Sequence, residues 1–246
     1  MIKFFRKIRQ KMLTENKFSK YLIYSIGEIV LVVIGILIAL EVNNLNEQSK
    51  REKLRENYVN SLLSDLESDI ILLENQILTF NTELVRHTSL SKRLSSSDAT
   101  FDTIRNIARY EFLPFFTPSN NLNINTYNAL ISTGNLDLIQ SPLRKKIQKH
   151  NAEQLEILKT IELNFKLCAE LGYEYMNDYP INVEFKAIKG EQMNSVWEQI
   201  NENELKTNLN GILTTKITNY VMTNRLRQSL VEKTKILVEE IKSRKI

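Results

Sequence analysis

The residue types that do chemistry are few in this chain, and they stand apart. His87 and His150 are the only histidines and Cys168 is the only cysteine. Neither histidine has a cysteine or a second histidine at ligand spacing, so a metal centre built from several nitrogen and sulfur donors has no basis here. One cysteine excludes an intramolecular disulfide, and its apolar setting, Phe165-Lys-Leu-Cys168-Ala, reads as a small buried residue. Asp65 and Asp69 sit four residues apart beside Glu67. Carboxylate pairs at that spacing arise by chance on any strongly charged helix, where they form solvated faces. The chain has no His-Glu-x-x-His, no phosphate-binding glycine loop and no Gly-x-Ser-x-Gly elbow. Gly134 in Ser132-Thr-Gly134 is isolated and reads as a helix stop. These patterns predict no catalytic residue, no cofactor, no metal and no enzyme.

The element that says most is Tyr21–Leu40, YLIYSIGEIVLVVIGILIAL, 20 residues with the single charge Glu28. A helix of that length rises about 30 Å, the thickness of a bilayer's hydrocarbon core. The apolar core is longer than that of a cleaved signal peptide and ends without a small-x-small site, which predicts an uncleaved signal anchor over residues 21–42. Residues 1–20 hold seven Lys/Arg and one acid, so the remaining 226 residues are net negative although the whole chain is +4. A basic N-terminal flank predicts a cytoplasmic N-terminus and a domain, residues 43–246, outside the inner membrane in the periplasm. Lys50, Arg51, Lys53 and Arg55 weaken that contrast but begin ten residues past Leu40. Because the basic charge belongs to the tail, a nucleic-acid-binding face is not predicted. Phe4 or Phe5, Ile8 and Met12 among the basic residues suit a short amphipathic helix on anionic lipid, or a plain retention signal.

Glu28, Gly35 and Ala39 fall within about a 40° arc at 100° per residue. A small-x-x-x-small pair lets membrane helices approach closely, and an intramembrane carboxylate usually faces a partner or water. These three residues are the candidate packing face of the membrane helix, against a second copy or a protein partner. The alternative is a carboxylate that is protonated or reaches the headgroups.

Beyond the span, Leu54, Tyr58, Leu62, Leu66, Ile70, Leu73, Ile77, Phe80 and Leu84 recur every three or four residues, predicting one long helix to Leu94 with a coiled-coil-like seam. Ser95-Ser96-Ser97-Asp98 ends it. A short helix is predicted over Phe101–Tyr110, and the following Pro114 and Pro118 stop it. The aromatics of residues 110–116 read as an apolar plug over the end of a bundle, or as a partner patch. Asn125 can cap a helix over Thr126–Ser132 with Gly134 as its stop. Ser141-Pro142 opens a second long helix to about Met176, with Leu143, Ile147, Leu155, Leu158, Phe165 and Tyr175 on or near its inner face. Residues 181–200 have no clear pattern beyond a brief alternation at Val183. A third long helix runs from about Glu202 to Lys242 through Leu205, Leu209, Ile212, Tyr220, Leu230, Leu237 and Ile241. The predicted fold is all-α: an N-terminal transmembrane helix, then an elongated antiparallel bundle of three long helices with short helical connections.

Two stretches carry a family resemblance. One is the start, with Phe4-Phe5-Arg6-Lys7, Lys17-Phe18-Ser19-Lys20-Tyr21-Leu22, Gly27-Glu28, Gly35-Ile36, Ala39-Leu40 and Asn43-Asn44; the other is Thr126–Ile139, TYNALISTGNLDLI. They resemble an uncharacterised domain-of-unknown-function family of small, single-span membrane proteins of Gram-negative bacteria. Leu45 departs from it, standing where a tryptophan is expected. The resemblance implies an inner-membrane address and an all-α periplasmic domain, and it brings no catalytic residues. The expected role is a non-enzymatic, membrane-anchored helical interaction module that meets the lipid bilayer and a protein partner or a second copy. The alternative is a periplasmic ligand-sensing domain that signals through a membrane partner.

Overall fold

The computed structural model describes residue 6 and residues 18–115, 122–184 and 187–243. The described residues are all-helical, without strands. The pattern from Phe4 to Met12 lies outside them apart from Arg6, and so do Phe116 and Pro118 of the predicted plug. Six α-helices are described: α1 Phe18–Leu94, α2 Phe101–Asn106, α3 Asn125–Ser132, α4 Ser141–Asp178, α5 Gly190–Glu198 and α6 Glu202–Ser243. Two short turns of other pitch, Ile107–Glu111 and Asn135–Leu138, extend α2 and follow α3. The chain divides into two units, Met1–Asn57 and Tyr58–Ile246.

In the first unit α1 runs without a break, because neither proline nor glycine follows Gly35 before the turn at Ser95. None of its residues from Leu22 to Lys50 is buried, and the large aliphatics from Ile29 to Val42 are exposed. By length and composition it carries a candidate membrane span.

In the second unit, pairs of side chains fix the direction of each helix. Glu67 meets Lys242 at 2.9 Å, Glu74 meets Lys235 at 2.7 Å, and Asn224 donates to Asn81 at 2.9 Å. Residue numbers rise in α1 as they fall in α6. Likewise His150 meets Thr234, Lys233 meets Glu153 at 2.8 Å, and Asn219 meets the Cys168 sulfur at 3.0 Å, so α4 also runs against α6. Beyond Tyr58, therefore, α1 and α4 run in the same direction. The expected antiparallel bundle of three long helices is replaced by two parallel helices, α1 and α4, with α6 running against both.

Two parallel helices need a return connection, and residues 95–140 supply it. Glu111 binds Arg93 through two bonds and accepts from Arg86 at its carbonyl. Asn123 then meets Asp69, Thr126 meets Asp65, and Thr133 and Asn135 meet Tyr58. The partners fall from residue 93 to residue 58 as the connection advances from 111 to 135. That is about 50 Å of helix axis at 1.5 Å per residue, so this connection is a strap along the bundle rather than a short link.

Local chemistry sets the ends of the pieces. Thr100 and Thr103 form a reciprocal cap at the start of α2. Gly134 adopts φ +69°, the left-handed conformation that ends α3 as expected. Asn125 is the first helical residue rather than the cap; Ile124 takes the cap position without a side-chain bond. The carboxylate of Asp65 on α1 accepts from the Thr126 N–H instead, capping α3 from a neighbouring helix. Ser141 is likewise inside α4, with Gln140 at its cap position. The unassigned region holds α5, whose Trp197 is buried and donates through Nε1 to the Pro180 carbonyl at 3.0 Å.

The apolar core of this unit has three clusters. One gathers Leu62, Leu66, Leu130, Leu143, Ile147 and Ile241. A small one holds Leu73, Leu122, Leu230 and Val231. The largest lies around Leu90, Ile107, Phe112, Tyr175, Trp197, Leu205 and Leu209. Leu155, expected inside α4, is exposed; the inward positions there are Gln154, Ile161 and Cys168.

Candidate functional site

Glu28, Gly35 and Ala39 sit on α1 in the first unit, where they share one face. Gly35 and Ala39 are exposed and Glu28 is half-buried. A Cβ placed on Gly35 would meet nothing within 4 Å, so the small residue leaves an open approach. Glu28 lines an open hollow of about 400 Å³ on the helix surface with Ser25, Ile29, Val32 and Val33.

In the second unit, most of the residues that could do chemistry are buried, and their partners explain why. Asp69 is 2% exposed. One of its oxygens accepts from the Asn123 backbone N–H and from Asn123 Nδ2, both at 2.8 Å, and the other accepts from Gln154 Nε2 at 3.3 Å. Burial pushes its carboxyl above the usual range, and the three bonds oppose that. Together Asp69 and Asp65 tie the strap and the start of α3 to α1. The two carboxylates that sequence reading set aside as chance spacing are anchors.

A second group lines the interior face of α6. Its inward positions run Leu205, Leu209, Ile212, Lys216, Tyr220, Thr223, Arg227, Leu230, Thr234, Leu237 and Ile241, all buried. Four of these are polar. The Lys216 ammonium donates to the carbonyls of Leu113 and Phe115 on the strap and lies over the Phe112 and Tyr220 rings. Burial lowers its pKa to about 8. Arg227 is fully buried, its guanidinium 4.0 Å from the centre of the Phe80 ring, and burial lowers its pKa to about 10. Gly172 on α4 belongs to the same arrangement. A Cβ there would stand 2.7 Å from the Pro114 carbonyl oxygen, so only glycine lets the strap approach α4 this closely.

The histidines and the cysteine fit the same picture. His87 bonds the Glu83 carbonyl through Nδ1 at 2.6 Å and packs against Phe112 and Tyr220. His150 lies beside Thr234. Burial pushes both imidazoles below their ordinary range, so both are neutral at pH 7. Burial raises the Cys168 thiol, the opposite of what a nucleophile needs. Among the described residues no three His, Cys, Asp or Glu converge as metal ligands.

Sequence reading missed Lys216, Arg227 and Gly172. The signal for the first two was present: the apolar recurrence of α6 skips 216, 223, 227 and 234, each in phase with the buried face. For Gly172 the only trace was a glycine in mid-helix.

A cleft near the end of α1 is open to a ligand. Ser91, Leu94, Ser95, Ile104, Lys206, Leu209, Asn210, Leu213 and Thr214 enclose about 310 Å³ where α1 ends beside the start of α6. Its floor is aliphatic and its rim carries hydroxyls, an amide and one ammonium, a combination typical of small-molecule sites at the lower end of their size range.

Neither a curated protein nor a solved structure matches the chain. Residues 28–148, from Glu28 into the first turns of α4, match the model of a family of unknown function (DUF6090), so just under half of the chain is similar to that uncharacterised family.

Proposed function

We propose that this chain is a non-catalytic helical interaction module held in the inner membrane by a single signal-anchor span. In this reading residues 1–20 lie in the cytoplasm, residues 21–42 cross the bilayer and residues 43–246 stand in the periplasm. The observation that carries it is the stretch Leu22–Val42, where no residue is fully buried and the large aliphatics from Ile29 to Val42 are exposed. Hydrocarbon is the solvent that suits such a surface. The buried and half-buried polar residues support the non-catalytic part: Asp65, Asp69 and Lys216 hold the strap, and burial shifts His87, His150 and Cys168 away from proton transfer and nucleophilic attack at neutral pH.

Alkaline carbonate washing of membranes, followed by protease treatment of spheroplasts, tests this directly. The chain should stay in the pellet and lose its C-terminal domain to external protease. Release by carbonate refutes the anchor, and protection of the domain refutes the orientation.

The cleft between Ser91 and Thr214 favours one second reading, a sensing domain for a small amphipathic molecule that signals through a membrane partner. A metabolite that raises the melting temperature of the chain but not that of Thr214→Trp, which fills the cleft, would support it. A screen without any such shift would remove it.

A further inference from the structure

The outward face of α1 in the second unit carries a second seam, separate from the buried one. Ile71, Leu78 and Val85 repeat at seven residues and are 63%, 65% and 71% exposed. Between and beyond them the 3-4 spacing continues from Ser61 to Ser89 in small uncharged residues, all of them exposed. Twenty-nine residues thus present nine seam positions without a charge, on a chain that is 25% charged.

A 3-4 spacing keeps one face in line along a helix, and it is what another helix at a shallow angle requires. The other exposed aliphatic run, Leu155, Leu163, Leu167 and Leu171 on α4, steps by eight and four and is broken by Lys159. Steps of four drift around the helix, so that run does not make a straight seam.

We propose that this seam is the contact between two copies of the chain, packed in parallel and in register. The inference rests on the reading of the chain as membrane-anchored, because copies held in one bilayer share one orientation and face each other at raised effective concentration. Charge permits the pairing. Residues flanking the seam would meet as Glu67 with Leu72, Glu74 with Thr79 and Asn81 with Arg86 of the other copy, with no like charges opposed. Glu67 and Glu74 are already paired with Lys242 and Lys235 of their own chain. Size explains why the tether matters. A strip of 29 residues is about 43 Å long and one helix diameter wide, roughly 430 Å² per partner, about half of what a stable free dimer needs. The contact is therefore weak in free solution and sufficient between anchored copies.

Cysteine crosslinking of the full chain in native membranes tests this. Ile71→Cys, Leu78→Cys and Val85→Cys are compared with Leu163→Cys and Ile236→Cys, which are similarly exposed on other helices, and with the parent chain carrying only buried Cys168. Disulfide dimers at all three seam positions and not at the controls support the proposal. So does loss of the Ile71→Cys dimer when Leu78→Lys is added, with Trp197 emission unchanged to show that the fold persists. Equal dimer at Leu163→Cys or Ile236→Cys overturns it, as does absence of seam dimers from a chain that remains in the carbonate-washed pellet. A chain washed out by carbonate refutes the anchor itself; seam-specific dimers in the released fraction would still uphold the contact, and their absence there would sink it.

Discussion

Replacing buried Asp69 by alanine should loosen the strap from α1. Asp69 accepts three hydrogen bonds, two from Asn123 at 2.8 Å and one from Gln154 at 3.3 Å. Removing the carboxylate takes away three hydrogen bonds to a charged acceptor, each at about 1 kcal/mol or more, and leaves the buried Gln154 amide without that partner. Burial of the carboxylate opposes this, since its raised pKa means that the folded state disfavours the charge. The balance is a loss of about 3 kcal/mol, a large share of a typical 5–15 kcal/mol stability. Asp69→Asn should lose only about 1 kcal/mol, because its amide oxygen still accepts from Asn123 and the Gln154 amide can turn to offer its oxygen. The assay is urea unfolding of the detergent-solubilised full chain, followed by emission of Trp197, the only tryptophan, which is buried. With a slope of about 2 kcal/mol per molar, the alanine midpoint should fall by about 1.5 M. An alanine variant within about 0.3 M of the parent would refute the argument that these bonds hold the strap against the bundle. If global unfolding is unchanged while hydrogen exchange rises only around Asn123, the strap opens independently of the helices.

Gly172→Ala should destabilise the chain despite alanine's advantage of about 1 kcal/mol in a helix, because its Cβ would sit 2.7 Å from the Pro114 carbonyl oxygen; a raised urea midpoint would contradict the close approach. Lys216 has its pKa lowered by burial to about 8 from 10.5, so between those pH values the unfolded chain binds more protons and stability rises with pH. Measured against Lys216→Met, the parent should gain about 3 kcal/mol between pH 8 and 10.5; a difference between the two chains that stays flat with pH would show the ammonium is not desolvated. In a membrane-helix association reporter carrying residues 21–42, Glu28→Ala and Gly35→Leu should each lower the signal if the face with Ala39 packs against a second helix; signals equal to the parent would remove that face.

How far the sequence reaches is clearest on α6. Its bounds, Glu202–Ser243, follow from apolar recurrence and differ from the reading by a residue. α1 and the left-handed stop at Gly134 were equally legible, because helix propensity, proline exclusion and the glycine conformation act within a few residues of chain. The polar gaps at 216, 223, 227 and 234 were legible as gaps but not as contacts. Lys216 is buried because carbonyls about a hundred residues earlier come to it. Leu155 shows the converse: it is in phase with its helix, yet it is exposed because no neighbour covers that side.

The sequence by itself determined that the chain is helical, that it carries an apolar helix of membrane length, and roughly where its three long helices run. Those are properties of local segments and of their transfer between solvents. Only the tertiary structure decided that α1 and α4 run in the same direction, that a strap returns between them, and that Asp65, Asp69, Lys216 and Gly172 hold it. It also decided which face of α1 is covered and which seam, from Ser61 to Ser89, is left outward. These depend on pairings across up to about a hundred and seventy-five residues, where burial is settled by what packs against a side chain and not by its place in the helix.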